Sequence, residues 1–192
     1  MNALVPGWFG KLPALGDYAS RRLPPVFVDG WDAWLQRELA RSRAALGERW
    51  LDAFLVAPVR RYWLAPGLLG PRAWAGVWMP SVDAVGRHYP LTIAAPCRCA
   101  DAWLLARDAA AWFDALDAAA RQALDPACNI DAFERVLAGV PAMPALPADA
   151  SARAAGRGSR WWCAGVAQAS ALMPAVSLPA GGVFDALLQP CP

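Results

Sequence analysis

Residues 59–94 contain three short apolar runs: Val59-Arg60-Arg61-Tyr62-Trp63-Leu64, Trp74-Ala75-Gly76-Val77-Trp78-Met79 and Tyr89-Pro90-Leu91-Thr92-Ile93-Ala94. Turn residues close each run, at Pro66-Gly67, Pro80 and Pro96. Short apolar runs between such breakers read as strands, and their close succession predicts an antiparallel meander. Pro90 has no N–H to give a ladder, so the third run starts at an edge or in a strand's first turn.

Helical patterns flank this block. Upstream, Gly7-Trp8-Phe9-Gly10-Lys11-Leu12 reads as a short strand ending at Pro13, followed by a turn through Gly16-Asp17-Tyr18. Asp29 is the expected N-cap of a helix whose Trp31, Trp34, Leu35, Leu39 and Leu46 recur at helical spacing. Trp50, Phe54 and Leu55 predict a short helix stopping before Pro58. Downstream, Asp101 caps a long predicted helix over 101–124, with Leu105, Ala109, Trp112, Leu116 and Ala119 on its buried stripe. A shorter helix is expected from Asp131 to Ala138, closed by Gly139. Residues 139–158, rich in Pro, Ala and Gly, read as a loop or linker inside a single domain spanning 1–192. Beyond it, Ser159 to Cys163 and Leu172 to Val176 read as strands, and Phe184 to Leu188 as a terminal helical turn. Helices packed on a sheet of short strands make a layered α/β protein.

Composition narrows the function classes. Of the 192 residues 57% are apolar, against the usual ~45–50%, so burial can offset the entropy of ordering and whole-chain disorder is excluded. The net charge of +2 is scattered, with Arg21-Arg22 and Arg60-Arg61 as isolated pairs rather than the basic stripe of a nucleic-acid binder. No apolar run reaches the ~18 residues of a membrane span, and the opening residues carry no signal-peptide pattern. The five cysteines are odd in number and irregularly spaced, which predicts reduced thiols rather than a disulfide framework. The eleven tryptophans supply large core side chains; Trp31, Trp34, Trp103 and Trp112 sit at helical spacings that suit a core better than a ligand cage. Trp161 and Trp162 are expected on opposite faces of a strand, leaving one available to a partner.

The search for catalytic groups is mostly negative. A single histidine, His88, rules out multi-histidine metal sites, and Cys97-x-Cys99 is too short a spacing for a zinc knuckle. Gly7 to Leu12 lacks the glycine spacing and the hydroxyl of a phosphate loop. Ser81, Asp83 and His88 are the residue types of a hydrolase triad but lie in one short segment without a nucleophile elbow. No metal and no cofactor is expected.

Two segments remain dense in special residues. One is Gly10-Lys11-Leu12-Pro13 with Gly16-Asp17-Tyr18 and Arg21-Arg22-Leu23-Pro24. The other is Met79-Pro80-Ser81-Val82-Asp83 with Gly86-Arg87-His88-Tyr89-Pro90-Leu91-Thr92. Both combine rigid Pro, permissive Gly and a carboxylate near an arginine. Such residues suit Asp–Arg contacts that set loop shape. They also suit a recognition surface in which arginines present forked donors to a partner. On the second reading Asp17, Arg21, Arg22, Asp83 and Arg87 form the polar face, with Ser81 and Tyr89 beside them.

The two segments, continued by Trp31-Asp32-Ala33-Trp34-Leu35 and Ala57-Pro58-Val59, resemble the TagF/ImpM family of type VI secretion accessory proteins over about residues 7–95. A closing pattern of Leu178-Pro179, Phe184 and Leu187-Leu188 is also similar. The resemblance implies a three-layer α/β/α sandwich with a mixed or largely antiparallel central sheet. It further implies a cytoplasmic, non-enzymatic regulator of the secretion system. Such a regulator represses post-translationally by binding a forkhead-associated domain protein. The family supplies no catalytic residues to carry over. Two other readings stay open: a structural or assembly subunit of the machine, and a hydrolase using Ser81, Asp83 and His88.

Overall fold

The computed structural model describes residues 4–99, 101–146, 157–165 and 168–191. Seven strands form one sheet: β1 (Gly7–Gly10), β2 (Ala19–Arg21), β3 (Arg60–Leu64), β4 (Ala73–Met79), β5 (Leu91–Cys97), β6 (Ser159–Trp162) and β7 (Met173–Ala175). The order across the sheet is β2-β1-β5-β4-β3-β6-β7, and every neighbouring pair is antiparallel. The expected meander is its centre: Tyr62 faces Gly76 across β3 and β4, and Gly76 faces Ala94 across β4 and β5. Pro96 lies within β5 rather than ending it. The β1 pairing reaches only Ala94, so the strand has an open side where a proline is tolerated.

Both faces of the sheet are covered, which accounts for the near-continuous apolar strands. Trp8, Trp63, Val77, Ile93 and Trp162 pack with α3 (Ala102–Asp108), α4 (Ala110–Gln122) and α5 (Ile130–Ala138). Phe9, Tyr62, Trp78, Ala94 and Trp161 pack with α1 (Pro25–Leu46), α2 (Arg49–Leu55) and the terminal turn α6 (Gly182–Asp185). The protein is thus a three-layer α/β/α sandwich on an antiparallel sheet. Side-chain alternation along each strand delivers adjacent residues to different cores, as for Trp8 and Phe9.

Several expectations are corrected. The first helix starts at Pro25, ahead of Asp29, because a proline at the first helical position has a preset φ and no N–H to lose. The long helix is two. Ala109 leaves helical geometry at φ −105°, ψ 19°, ending α3 and preceding α4, with no glycine or proline to mark the break. The Asp101 cap stands, its carboxylate accepting from the N–H groups of Trp103 and Leu104. The last of these helices begins one residue early, behind Asn129, whose side chain accepts from Ala132 N–H. Trp161 and Trp162 do divide between the faces, but both are buried, because each face has its own helical layer. Cys163 and Cys191 are joined in a disulfide, while Cys97, Cys99 and Cys128 are buried free thiols. Part of the 139–158 segment lies outside the described residues. No described helix is long and apolar enough to cross a membrane.

Candidate functional site

The sheet brings the two dense segments together. β1 ends at Gly10 beside the start of β5, since Phe9 pairs with Thr92. The loop after β1 and the loop before β5 therefore meet at one end of the sheet. Gly10 makes this contact possible. It lies at φ 138°, and a Cβ there would drive into the Pro90 carbonyl.

Asp83 organises the junction from a buried position. Its Oδ2 takes Lys11 Nζ at 2.8 Å and Arg87 Nε at 2.7 Å. Its Oδ1 accepts from the backbone N–H groups of Arg87 (2.8 Å) and Val85 (3.1 Å). Burial pushes this carboxyl up. The hydrogen bonds from Lys11, Arg87 and the backbone outweigh it and hold the group well below the usual carboxylate range. Ser81 Oγ donates to the Lys11 carbonyl at 2.7 Å, and Ala84 N–H donates to the Leu15 carbonyl at 2.8 Å, so the loops are laced by main chain as well. Arg87 completes the lacing with a donor to the Gly16 carbonyl.

An aromatic stack supports the same corner. Tyr89 stands edge-on to Tyr18 with ring centroids 4.7 Å apart, and Phe9 packs against both. Tyr89 O–H donates to Asp32 Oδ1 at 2.6 Å, which ties the corner to α1. Burial and then the Asp32 carboxylate push the Tyr89 phenol above its ordinary value, so it remains a donor. Lys11 Nζ lies 4.8 Å from the centroid of the Tyr18 ring.

What reaches solvent is a small tip: Asp17, Tyr18, Val85, Gly86 and Arg87, with Val85 68% exposed. Asp83 raises the Arg87 pKa, so this guanidinium stays cationic at any working pH. The tip thus offers a cation, a carboxylate, a phenol and an apolar side chain on a rigid base.

The structure therefore groups Asp17, Ser81, Asp83, Arg87 and Tyr89. Ser81, Asp83 and Tyr89 are buried and hold the loops, whereas Asp17 and Arg87 face solvent. Arg21 is exposed on β2 opposite Trp8, away from the loop junction. Arg22 adopts a left-handed backbone (φ 61°). Its Nε donates to the Pro6 carbonyl and its Nη1 pairs with Glu134. Glu134 also accepts from Trp8 Nε1 at 2.7 Å, so this group locks the outer strands to α5. Beside Arg22 runs an open, mainly apolar groove of roughly 680 Å³ lined by Leu23, Val26, Trp74 and Pro96.

A serine-hydrolase relay is not assembled. The Ser81 hydroxyl is given to a carbonyl, Asp83 faces two cations, and the His88 ring packs edge-on to Phe54 at 6.0 Å. Among the described residues no three His, Cys, Asp or Glu converge as a metal site. Reasoning from sequence did not single out Lys11, Asp32 or Glu134. Lys11 had two available signals: it is the only lysine in the chain, and it lies in the first of the two dense segments.

Comparison with known proteins places these features. Residues 7–140 match the family model described as the TagF N-terminal domain, type VI secretion system-associated. The chain is similar to a solved structure, PA0076 from Pseudomonas aeruginosa PAO1, at 37% identity and a TM-score of 0.84. That match covers 96% of this chain and 94% of the other. No curated protein matches significantly.

Proposed function

We propose that this chain, which belongs to the TagF family of type VI secretion system-associated proteins, is a non-enzymatic regulator that represses the secretion apparatus after translation. It acts in the bacterial cytoplasm by binding the system's forkhead-associated domain protein, and it uses no cofactor. One observation carries the reading: the family's two signature loops converge on a buried Lys11–Asp83 pair and present Asp17, Tyr18 and Arg87 as a fixed tip. Conformational freedom lost before binding need not be lost on binding, so a rigid polar tip suits recognition. Arg21, exposed on β2, and Arg22, just beyond it and paired with Glu134, supply a second, separate patch of the proposed surface.

Effector secretion measured after deletion and overexpression tests the repressor role. Higher secretion on deletion and lower on overexpression support it; no change in either overturns it. A pull-down with the forkhead-associated protein tests the partner. If folded Arg21→Ala and Arg87→Ala variants still bind and repress as the parent does, the surface is wrongly placed. Co-purification with the assembled baseplate in place of the soluble partner favours a structural subunit.

A further inference from the structure

Arg60 is a buried cation with an unusual set of partners. It lies on β3, and among the described residues no carboxylate pairs with it. Its Nε donates to the Leu187 carbonyl at 3.0 Å, and its Nη2 to the carbonyls of Ala186 and Gln189 at 2.9 and 2.6 Å. Those carbonyls end the last helical turn, where a cation is favoured. Its Nη1 points at sulfur, 3.0 Å from Cys163 Sγ and 3.9 Å from Cys191 Sγ. The disulfide is asymmetric in its surroundings. Cys191 is exposed, whereas Cys163, at the end of β6, is partly buried against the guanidinium. A groove of roughly 490 Å³ opens on the pair, lined by Arg60, Trp162, Gln168, Met173 and Gln189. Its size is that of a small-ligand site.

Thiol–disulfide exchange proceeds by thiolate attack on one sulfur, and it is faster when the departing sulfur is the better-stabilised thiolate. A guanidinium beside Cys163 stabilises that thiolate. The other three cysteines have no such help: burial pushes Cys97 up to about 11, and raises Cys99 and Cys128 as well.

We propose that Cys191 is a thiol-exchange site for a low-molecular-weight thiol of the glutathione class, with Arg60 as the positioning residue for the leaving group. The attacking thiolate bonds to Cys191 Sγ, the Cys163–Cys191 bond breaks, and its electron pair leaves with Cys163 as a thiolate paired to Arg60. A second thiolate attacks the mixed disulfide, releasing the small disulfide and the Cys191 thiolate. Two thiols are oxidised as one protein disulfide is reduced. The exchange unfastens residues 190–191 from the end of β6, while Arg60 keeps its hold on the carbonyls of Ala186, Leu187 and Gln189.

The full chain, oxidised, is treated with reduced glutathione at pH 7, quenched with iodoacetamide and mapped by peptide mass spectrometry. The expected product carries glutathione on Cys191 and the alkyl group on Cys163. Glutathione on Cys163, or absence of the Cys163–Cys191 cross-link before treatment, overturns the proposal. The reduced chain supplies a second readout: the pH midpoint of Cys163 alkylation. It is expected about one unit or more below the ~8.5 of a free cysteine, and a midpoint at or above that value overturns the role of Arg60. Arg60→Lys keeps a cation and holds the midpoint low, whereas Arg60→Gln returns it to the ordinary range. Should Arg60→Gln fail to fold, the parent profile and Arg60→Lys decide.

Discussion

Lys11 Nζ stands 2.8 Å from Asp83 Oδ2, with the two side chains 4% and 0% exposed. This buried pair joins the two signature loops. Removing Lys11 leaves the buried Asp83 carboxylate with the largely exposed Arg87 as its one cation, and removing Asp83 leaves the buried Lys11 without its carboxylate; either costs more than removing both. Lys11→Met is expected to lower Tm by about 10 °C. Adding Asp83→Asn to it should recover part of the loss, since Asn keeps an acceptor for the loop N–H groups. A Lys11→Met chain that melts as the parent does would show that the pair holds nothing together.

Acid should loosen the same junction. The folded Asp83 carboxyl titrates below its unfolded value near 3.9, so the unfolded chain takes up the proton first. Its stabilisation is complete above about pH 4 and is lost as pH falls through the lower folded value. Glu38, Glu134 and Asp185 are shifted downward too and act in the same direction. Asp117 is raised, mainly by burial, and gives an opposing slope above about pH 4. Denaturant midpoints measured across pH 2–6 should fall steeply at the acid end, and Asp83→Asn should flatten that limb. An unchanged limb in the variant contradicts the assignment.

Gly10→Ala tests the contact between the loops. The added methyl meets the Pro90 carbonyl at a backbone angle that L side chains rarely adopt. Both strands must shift, so a loss of about 3 kcal/mol or more is expected in chemical denaturation. Gly16→Ala, where a Cβ meets nothing, serves as the control and should stay close to the parent.

Glu134 has two duties that two variants separate. Glu134→Gln retains an acceptor for Trp8 Nε1 and loses only the exposed Arg22 pair, so it should change stability by less than about 1 kcal/mol. Glu134→Ala leaves the indole N–H of a fully buried tryptophan without this acceptor and should cost about 1–3 kcal/mol. Equal losses in the two variants would assign the whole effect to the ion pair.

Much of the fold is legible in local pattern. Pro and Gly punctuation located β3, β4 and β5, and helical spacing of Trp31, Trp34 and Leu35 located α1. β2 was missed because Ala19-Ser20-Arg21 is too short and polar to show alternation; it is a strand only through its pairing with β1. The break at Ala109 was missed because the apolar stripe runs on past it into Trp112 and Leu116. At the site, the residue types stood out, but their burial did not. Ser81 and Arg87 look alike as loop polar groups until Ser81 is seen to donate to the Lys11 carbonyl and Arg87 to reach solvent.

By itself the sequence determined the layered α/β class, the central meander, the family resemblance carried by the two signature segments, and the scarcity of catalytic groups. These depend on composition and on spacing within a few residues, where side-chain periodicity and turn chemistry act. The tertiary structure alone decided that Asp83 joins Lys11, that Arg22 crosses to Glu134, and that Cys163 bonds Cys191 beside Arg60. Each of these partnerships links segments distant in the chain. A buried charge or thiol is defined by what the folded chain places next to it, and local pattern carries no record of that neighbour.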